Sequence, residues 1–238
     1  IKNHISKEDK YTFALNELSH NLGLKDITRI EGYDVSHISG DNAVASCVVF
    51  SKTGPLKEDY RLFNIPKSLS GNDVGSLKHV IERRLKYYDN PATKPDLILI
   101  DGGRPQLKFV NKVIDHSEHD NLEVISIVKG VNRIRATETI IGNNGVIELN
   151  KHSKAFLLLQ EIRDESHRFA LQAQRKKKRS KITKSELDDI KGVGKVLKQR
   201  LLKQFKSITE IRSANMDDLM TVDGINEKIA KLIISKFK

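Results

Sequence analysis

The 238-residue chain has no tryptophan, one cysteine, two methionines and five prolines. A lone cysteine excludes an internal disulfide. Cys47 sits in the apolar run "AVASCVVF", which reads as a buried structural thiol rather than a nucleophile. The absence of disulfides suits a reducing compartment, so the expected location is cytoplasmic. No apolar run reaches the ~18–20 residues of a membrane span, and no signal-peptide pattern opens the chain. Methionine occurs only at 216 and 220 and the first residue is Ile1, so a segment of a longer protein is expected. Acid is in shorter supply than base, 31 against 42, giving a net charge of +11. That imbalance favours a polyanionic partner.

The excess is concentrated. Residues 175–238 hold 18 Lys and Arg against 8 Asp and Glu, a net of +10. The break falls at "RKKKRSKITK", which includes Arg175, Lys176, Lys177, Lys178 and Arg179. A run like this reads as a solvated flexible tether, and also as a set of phosphate contacts. The expected organisation is therefore a first domain over 1–174, a basic linker over 175–184 and a second domain over 185–238.

Periodicity places the elements of the first domain. Residues 8–23 predict a helix, with Tyr11, Leu15, Leu18 and Leu22 on one face. Stretches 27–38 and 42–54 predict strands joined as a hairpin at Gly40-Asp41-Asn42. A third strand is expected over 59–65 and a helix over 73–88. "DLILID" (96–101) is a short apolar strand of the sort buried on both faces. A helix over 104–115, a strand over 122–128, a hairpin around Asn143-Asn144-Gly145 and a long helix over 153–175 complete the order. This is an α/β domain with a mixed sheet flanked by helices.

Reactive groups in such sheets collect at the carboxyl ends of strands, and Asp101 stands at one. By itself Asp101 reads equally as a cap for the next helix or as turn chemistry. Asp34, mid-strand in "EGYDVSH", has no turn to explain it, and an acid there costs desolvation unless something cationic meets it. Two converging carboxylates repel unless a divalent cation lies between them. Oxygen donors of this type suit Mg²⁺ or Mn²⁺. On the long helix, His167 lies about 120° from the centre of the apolar stripe, so it is not a core histidine. It reads either as a surface residue or as a third donor overlooking the strand ends.

Taken together, "EGYDVSHISG", "LILIDGGRPQL" and "RDESHRFA" resemble, in order and spacing, the C-terminal half of the UvrC family of bacterial nucleotide excision repair. The resemblance implies an RNase H-like endonuclease domain with a site of Asp34, Asp101 and His167. It also matches a further family acid to Asp73, which otherwise reads as the N-cap of the helix from Val74. The activity it implies is metal-dependent incision of DNA on the 5′ side of a lesion. The implied partners are damaged or junction-containing double-stranded DNA and a UvrB–DNA complex, the latter engaged by segments upstream.

The tail repeats itself with a shift of 32. "LDDIKGVGKVLKQRLLKQF" (187–205) overlays "LMTVDGINEKIAKLIISKF" (219–237). Each copy opens a helix with a hairpin: Gly192-Val193-Gly194 before Lys195, and Gly224-Ile225-Asn226 before Lys228. Free backbone N–H groups at a helix start make an anion site. Glycine permits φ > 0 there, and Asn226 is the next best left-handed residue. The pattern is that of a small all-α tandem helix-hairpin-helix domain, which grips DNA without reading sequence. Rival readings are a non-catalytic structure-specific DNA-binding module and another RNase H-like nuclease, such as a junction resolvase.

Overall fold

The computed structural model describes residues 7–36, 43–119, 121–128 and 138–237, with side chains except at 7, 8 and 177–185. Helix α1 (Lys7–Leu22) precedes strands β1 (Arg29–Ser36), β2 (Val44–Ser51), β3 (Gly54–Pro55) and β4 (Arg61–Asn64). Helix α2 (Asp73–Leu85), β5 (Leu97–Asp101), α3 (Arg104–Asp115) and β6 (Glu123–Val128) follow. The hairpin β7 (Thr139–Gly142) and β8 (Gly145–Ile147) leads to the long α4 (Lys154–Asp188).

The strands form one mixed sheet in the order β3-β2-β1-β5-β6-β7-β8, with β4 also paired to β2. Strands β1 and β2 are antiparallel, whereas β5 lies parallel to both β1 and β6. This central position explains the unbroken apolar run of β5, whose Leu97 to Ile100 are buried. Helix α1 packs Tyr11, Leu15 and Leu18 into the same core. The turn expected at Gly40-Asp41-Asn42 lies outside the described residues.

Two expectations are corrected. The basic run read as a flexible tether is helical, because α4 continues unbroken to Asp188. Nothing between Lys154 and Asp188 interrupts it: the segment has no glycine or proline, and Lys and Arg are good helix formers. High charge calls for solvation, which an exposed helix meets as well as a flexible coil does. Second, Asp73 is not the N-cap of α2. Asn72 fills that role, accepting the Gly75 N–H at 2.8 Å, and Asp73 is the first helical residue.

The chain divides into two compact units, 1–174 and 175–238. The second contains α5 (Lys195–Phe205), α6 (Ile208–Ser213), α7 (Met216–Met220) and α8 (Glu227–Phe237). The bounds of α5 and α8 differ by the 32 residues of the sequence repeat. Repeat partners Leu187 and Leu219, Ile190 and Val222, and Leu201 and Ile233 are buried in one small core.

Candidate metal centre and nucleic-acid interface

Alternation along β1 puts Arg29, Glu31 and Tyr33 on one face and Gly32, Asp34 and Ser36 on the other. In the parallel ladder Tyr33 lies opposite Ile100, so Asp34 and Asp101 fall one step further on, side by side on adjacent strands. Strand spacing alone then holds their backbones about 5 Å apart. Asp34 is buried, and its Oδ2 accepts the Ser36 hydroxyl at 2.7 Å.

Helix α4 supplies the third group, and Gly32 lets it approach. A Cβ at position 32 would lie 2.3 Å from Ile162 Cγ2, so only glycine admits this packing. Two hydrogen bonds fix the helix over the sheet: Ser46 Oγ donates to the Ser166 carbonyl, and Gln174 Nε2 donates to the Ser36 carbonyl, each at 2.8 Å. His167 thereby reaches Asp34, with Nδ1 3.3 Å from Oδ2, and keeps about half of its side chain in solvent.

Asp34, Asp101 and His167 each offer one ligand atom, and these atoms all lie within 4.8 Å of one another. Two carboxylates and an imidazole form a donor set that fits a divalent cation. Asp73 is exposed and is not one of the three. It borders a small cavity with Asp101, Tyr33 and Gln106.

Several supporting residues carried no signal strong enough to single them out. Ser126 on β6 donates to the carbonyls of Ile100 and Gly102, pinning the turn after Asp101. Gly103 stands at the N-cap of α3, and Gln106 Oε1 accepts its N–H at 3.0 Å. A Cβ at Gly102 or Gly103 would meet the Gln106 side chain, which packs beside both glycines. Ser36 was in phase with Asp34, which is a legible hint. Gln106 stands three residues past the N-cap, the reciprocal capping position.

Behind the other face of β1 lies a buried polar network. Glu31 accepts Arg84 Nη2 at 2.5 Å, Tyr33 OH at 2.6 Å and Tyr88 OH at 2.7 Å. Cys47 Sγ lies 3.7 Å from the same carboxylate. Burial first, and then the neighbouring Glu31 charge, push the Cys47 thiol well above its usual range. Burial is also the main cause of the raised pKa values of Tyr33 and Tyr88. Cys47 is thus an inert thiol.

In the helical unit, Gly192 and Gly224 have φ of +94° and +90°. Their environments mirror each other: Gly192 faces Ile229, and Gly224 faces Leu197, the repeat partner of Ile229. Asn226 does not take the left-handed role expected of it. Its Oδ1 instead accepts the Ile229 N–H at 3.0 Å as a helix cap, which leaves the sharp turn to Gly224. Val193 and Ile225 bury their side chains, so each offers only backbone to a ligand. Gly192, Gly194, Lys195, Gly224, Asn226 and Lys228 are exposed, as are Arg175 and Lys176. The side chains of Lys177, Lys178 and Arg179 lie outside the described residues.

Comparison with known proteins bears on the same two regions. A family model for the UvrC RNAse H endonuclease domain matches residues 19–171. One for the SAM-like helix-hairpin-helix tandem matches 184–238. UvrABC system protein C of Coxiella burnetii (strain CbuK_Q154) is 35% identical over 237 residues, covering 98% of this chain and 39% of that protein. That of Methylococcus capsulatus is 37% identical over 241 residues, covering all of this chain and 40% of its own. The chain thus spans about two-fifths of the length of these curated relatives. Among solved structures, the catalytic domain of human Endonuclease V aligns with a TM-score of 0.43 and 16% identity, over 71% of this chain and 98% of that one. This likeness is too low to carry weight.

Proposed function

The chain belongs to the UvrC RNase H endonuclease domain family, with a helix-hairpin-helix tandem behind that domain, and from this premise we propose that it hydrolyses DNA phosphodiesters with Mg²⁺ or Mn²⁺ in nucleotide excision repair. The observation carrying the reading is the convergence of Asp34, Asp101 and His167, whose ligand atoms lie within 4.8 Å of one another. Two acids side by side on adjacent strands have no comparable reason to be there.

Asp34 and Asp101, held by the β1–β5 ladder, would carry the cation. His167 either completes its donor set or takes a proton from the attacking water. A bound dication supplies a water of lowered pKa and offsets charge on the scissile phosphate. The water's oxygen bonds to phosphorus and the bond to O3′ breaks, leaving a 3′-hydroxyl and a 5′-phosphate. Within the excision reaction this is the 5′-side incision, made with a UvrB–DNA complex as partner. Asp73, beside Asp101, is a candidate for a secondary contribution.

The helical unit serves as the duplex grip. Backbone N–H groups at Gly192-Val193-Gly194 and Gly224-Ile225-Asn226, with Lys195 and Lys228, take phosphates. Arg175 to Arg179 add further positive charge. Supporting this are the exposed, glycine-turned starts of α5 and α8 and the net charge of this unit. Binding of this kind is indifferent to sequence and falls with salt.

The deciding experiment is nicking of supercoiled plasmid with Mn²⁺ by the wild type and by Asp101→Asn. The wild type nicks, and the variant loses at least a hundredfold. Equal nicking by both would refute the assigned site. Binding without nicking by either would favour a non-catalytic DNA-binding module. Faster cutting of branched than of bubble or lesion-bearing duplexes would favour a junction resolvase.

A further inference from the structure

We propose that the groove between α3 and the β7–β8 hairpin binds the sugar–phosphate backbone of the same strand that lies at the Asp34–Asp101–His167 cluster, through Arg104, Lys108 and Lys112. This rests on the nuclease reading above and adds a second binding surface within the first unit.

The groove has a volume of about 450 Å³. Its floor is Leu107 and Ile141, and its far wall is the hairpin tip. The Asn111 amide hydrogen-bonds the Asn143 side chain, which fastens the tip to α3. The wall on α3 is cationic. Arg104, Lys108 and Lys112 stand at i, i+4 and i+8, so they form one row on one face. All three are exposed, and none has an ion-pair partner among the described residues. In the same unit Lys10, Lys52, Lys78 and Arg168 are each matched to a carboxylate, while the exposed Lys25, Lys86, Lys151 and Lys154 are scattered without one among the described residues. What sets this row apart is that its three cations line one groove, which suits an occupant that brings its own negative charge.

Two dimensions identify the occupant. Helical rise spaces the cations by about 6 Å and makes the row about 12 Å long. A duplex strand rises about 3.4 Å per phosphate along its axis and winds as it rises, so its successive phosphates stand further apart than the rise and the row meets two or three of them. The row also begins at the site. Arg104 follows Asp101 by three residues, which limits their Cα separation to about 11 Å. Of the three cations, Arg104 is nearest the cluster in sequence, and Lys108 and Lys112 follow it along α3. Asp115 borders the groove beyond Lys112 and ends the track by repulsion. Contacts of this sort set the position of the strand and carry no sequence information.

The test uses the full chain with Lys108→Gln and Lys112→Gln combined. Both positions are exposed, and Gln is a good helix former. Each phosphate contact contributes about 0.9 to the slope of log affinity against log salt, so the slope should shrink by about 2. KM for Mn²⁺-dependent nicking should rise at least fivefold, by more than kcat falls. An unchanged slope and an unchanged KM, with the wild type nicking normally, would overturn the groove. If the wild type does not nick, the nuclease reading fails and the salt slope alone decides the groove. A second variant, Lys112→Cys carrying a photoreactive thiol reagent, locates the strand. The native Cys47 is buried, so the label goes to position 112. Crosslinks should cluster within a few nucleotides on one side of the nick. Crosslinks scattered along the duplex, or formed only with an acidic polypeptide, would overturn the proposal.

Discussion

At the scale of single residues, the acids were legible and their supports were not. Asp34 stood out because a carboxylate in the middle of an apolar strand is costly without a partner. Ser36, Ser126 and Gln106, which hold Asp34 and the turn after Asp101, are polar residues of types found everywhere on surfaces, and only the phase of Ser36 with Asp34 hinted at a role. Glu31 was missed for a related reason. Its main cation, Arg84, and Tyr88 come from more than fifty residues away, where no local pattern links them, while Arg29 and Tyr33 add to them from its own strand. The Arg84→Met variant should be severely destabilised, by about 3–5 kcal/mol, because it removes the cation hydrogen-bonded to the buried Glu31 and leaves only Arg29, whose Nη2 stands 3.7 Å away. Urea unfolding of the variant reads this, and a loss below about 1 kcal/mol would show that Arg29 and the tyrosine hydroxyls suffice. Cys47 lies against the same carboxylate, and its raised pKa keeps the thiol protonated. A thiol-specific reagent should leave it untouched in the native chain and label it once urea unfolds the protein. Prompt native labelling would contradict its burial.

At the scale of elements, the helix and strand periods placed α1, β1, β2, α2, β5, α3 and β6 to within a few residues. Helix α4 was read too short, because its stripe of Leu158, Leu159 and Ile162 gives way to lysine and arginine and periodicity goes silent. Helix propensity continued where hydrophobicity stopped. The approach of α4 to β1 depends on one missing side chain. In Gly32→Ala the new methyl meets Ile162, and α4 must shift. The expected outcome is a loss of about 1–3 kcal/mol, together with loss of nicking as His167 moves off Asp34. Adding Ile162→Ala reopens the space, and partial return of nicking is expected. Full activity in Gly32→Ala alone would show that the helix position does not matter. In the helical unit, Gly224→Ala combines a φ of +90° with a Cβ 2.7 Å from Leu197. It should cost at least about 1 kcal/mol, weaken duplex binding and leave the β-sheet signal in circular dichroism unchanged.

At the scale of the whole molecule, the buried tyrosines and thiol set an alkaline limit. Their folded pKa values are raised, whereas the unfolded chain ionises near the ordinary values of 9 for Cys47 and 10 for Tyr33 and Tyr88. Stability is therefore complete below pH about 9 and is lost as pH rises above it. The loss is up to about 1.4 kcal/mol per pH unit for each such group. Melting temperature against pH should fall beyond 9, and Cys47→Ala should delay the onset. A flat profile to pH 11 would show these groups to be solvated.

By itself the sequence determined the α/β class, the doubled hairpin tail and the location of the positive charge, each written in local pattern, in composition or in a repeat. The three converging side chains were named by a family resemblance carried on three motifs, since local pattern left Asp101 and His167 open to plainer readings. Only the tertiary structure decided what brings the three together. Parallel pairing sets Asp34 beside Asp101, a glycine too small to hold α4 away admits His167, and packing at long range buries Glu31 with Arg84. Such contacts join residues separated by fifty to more than a hundred positions. The free energy that selects them comes from burial of the whole core, which no short window of sequence contains.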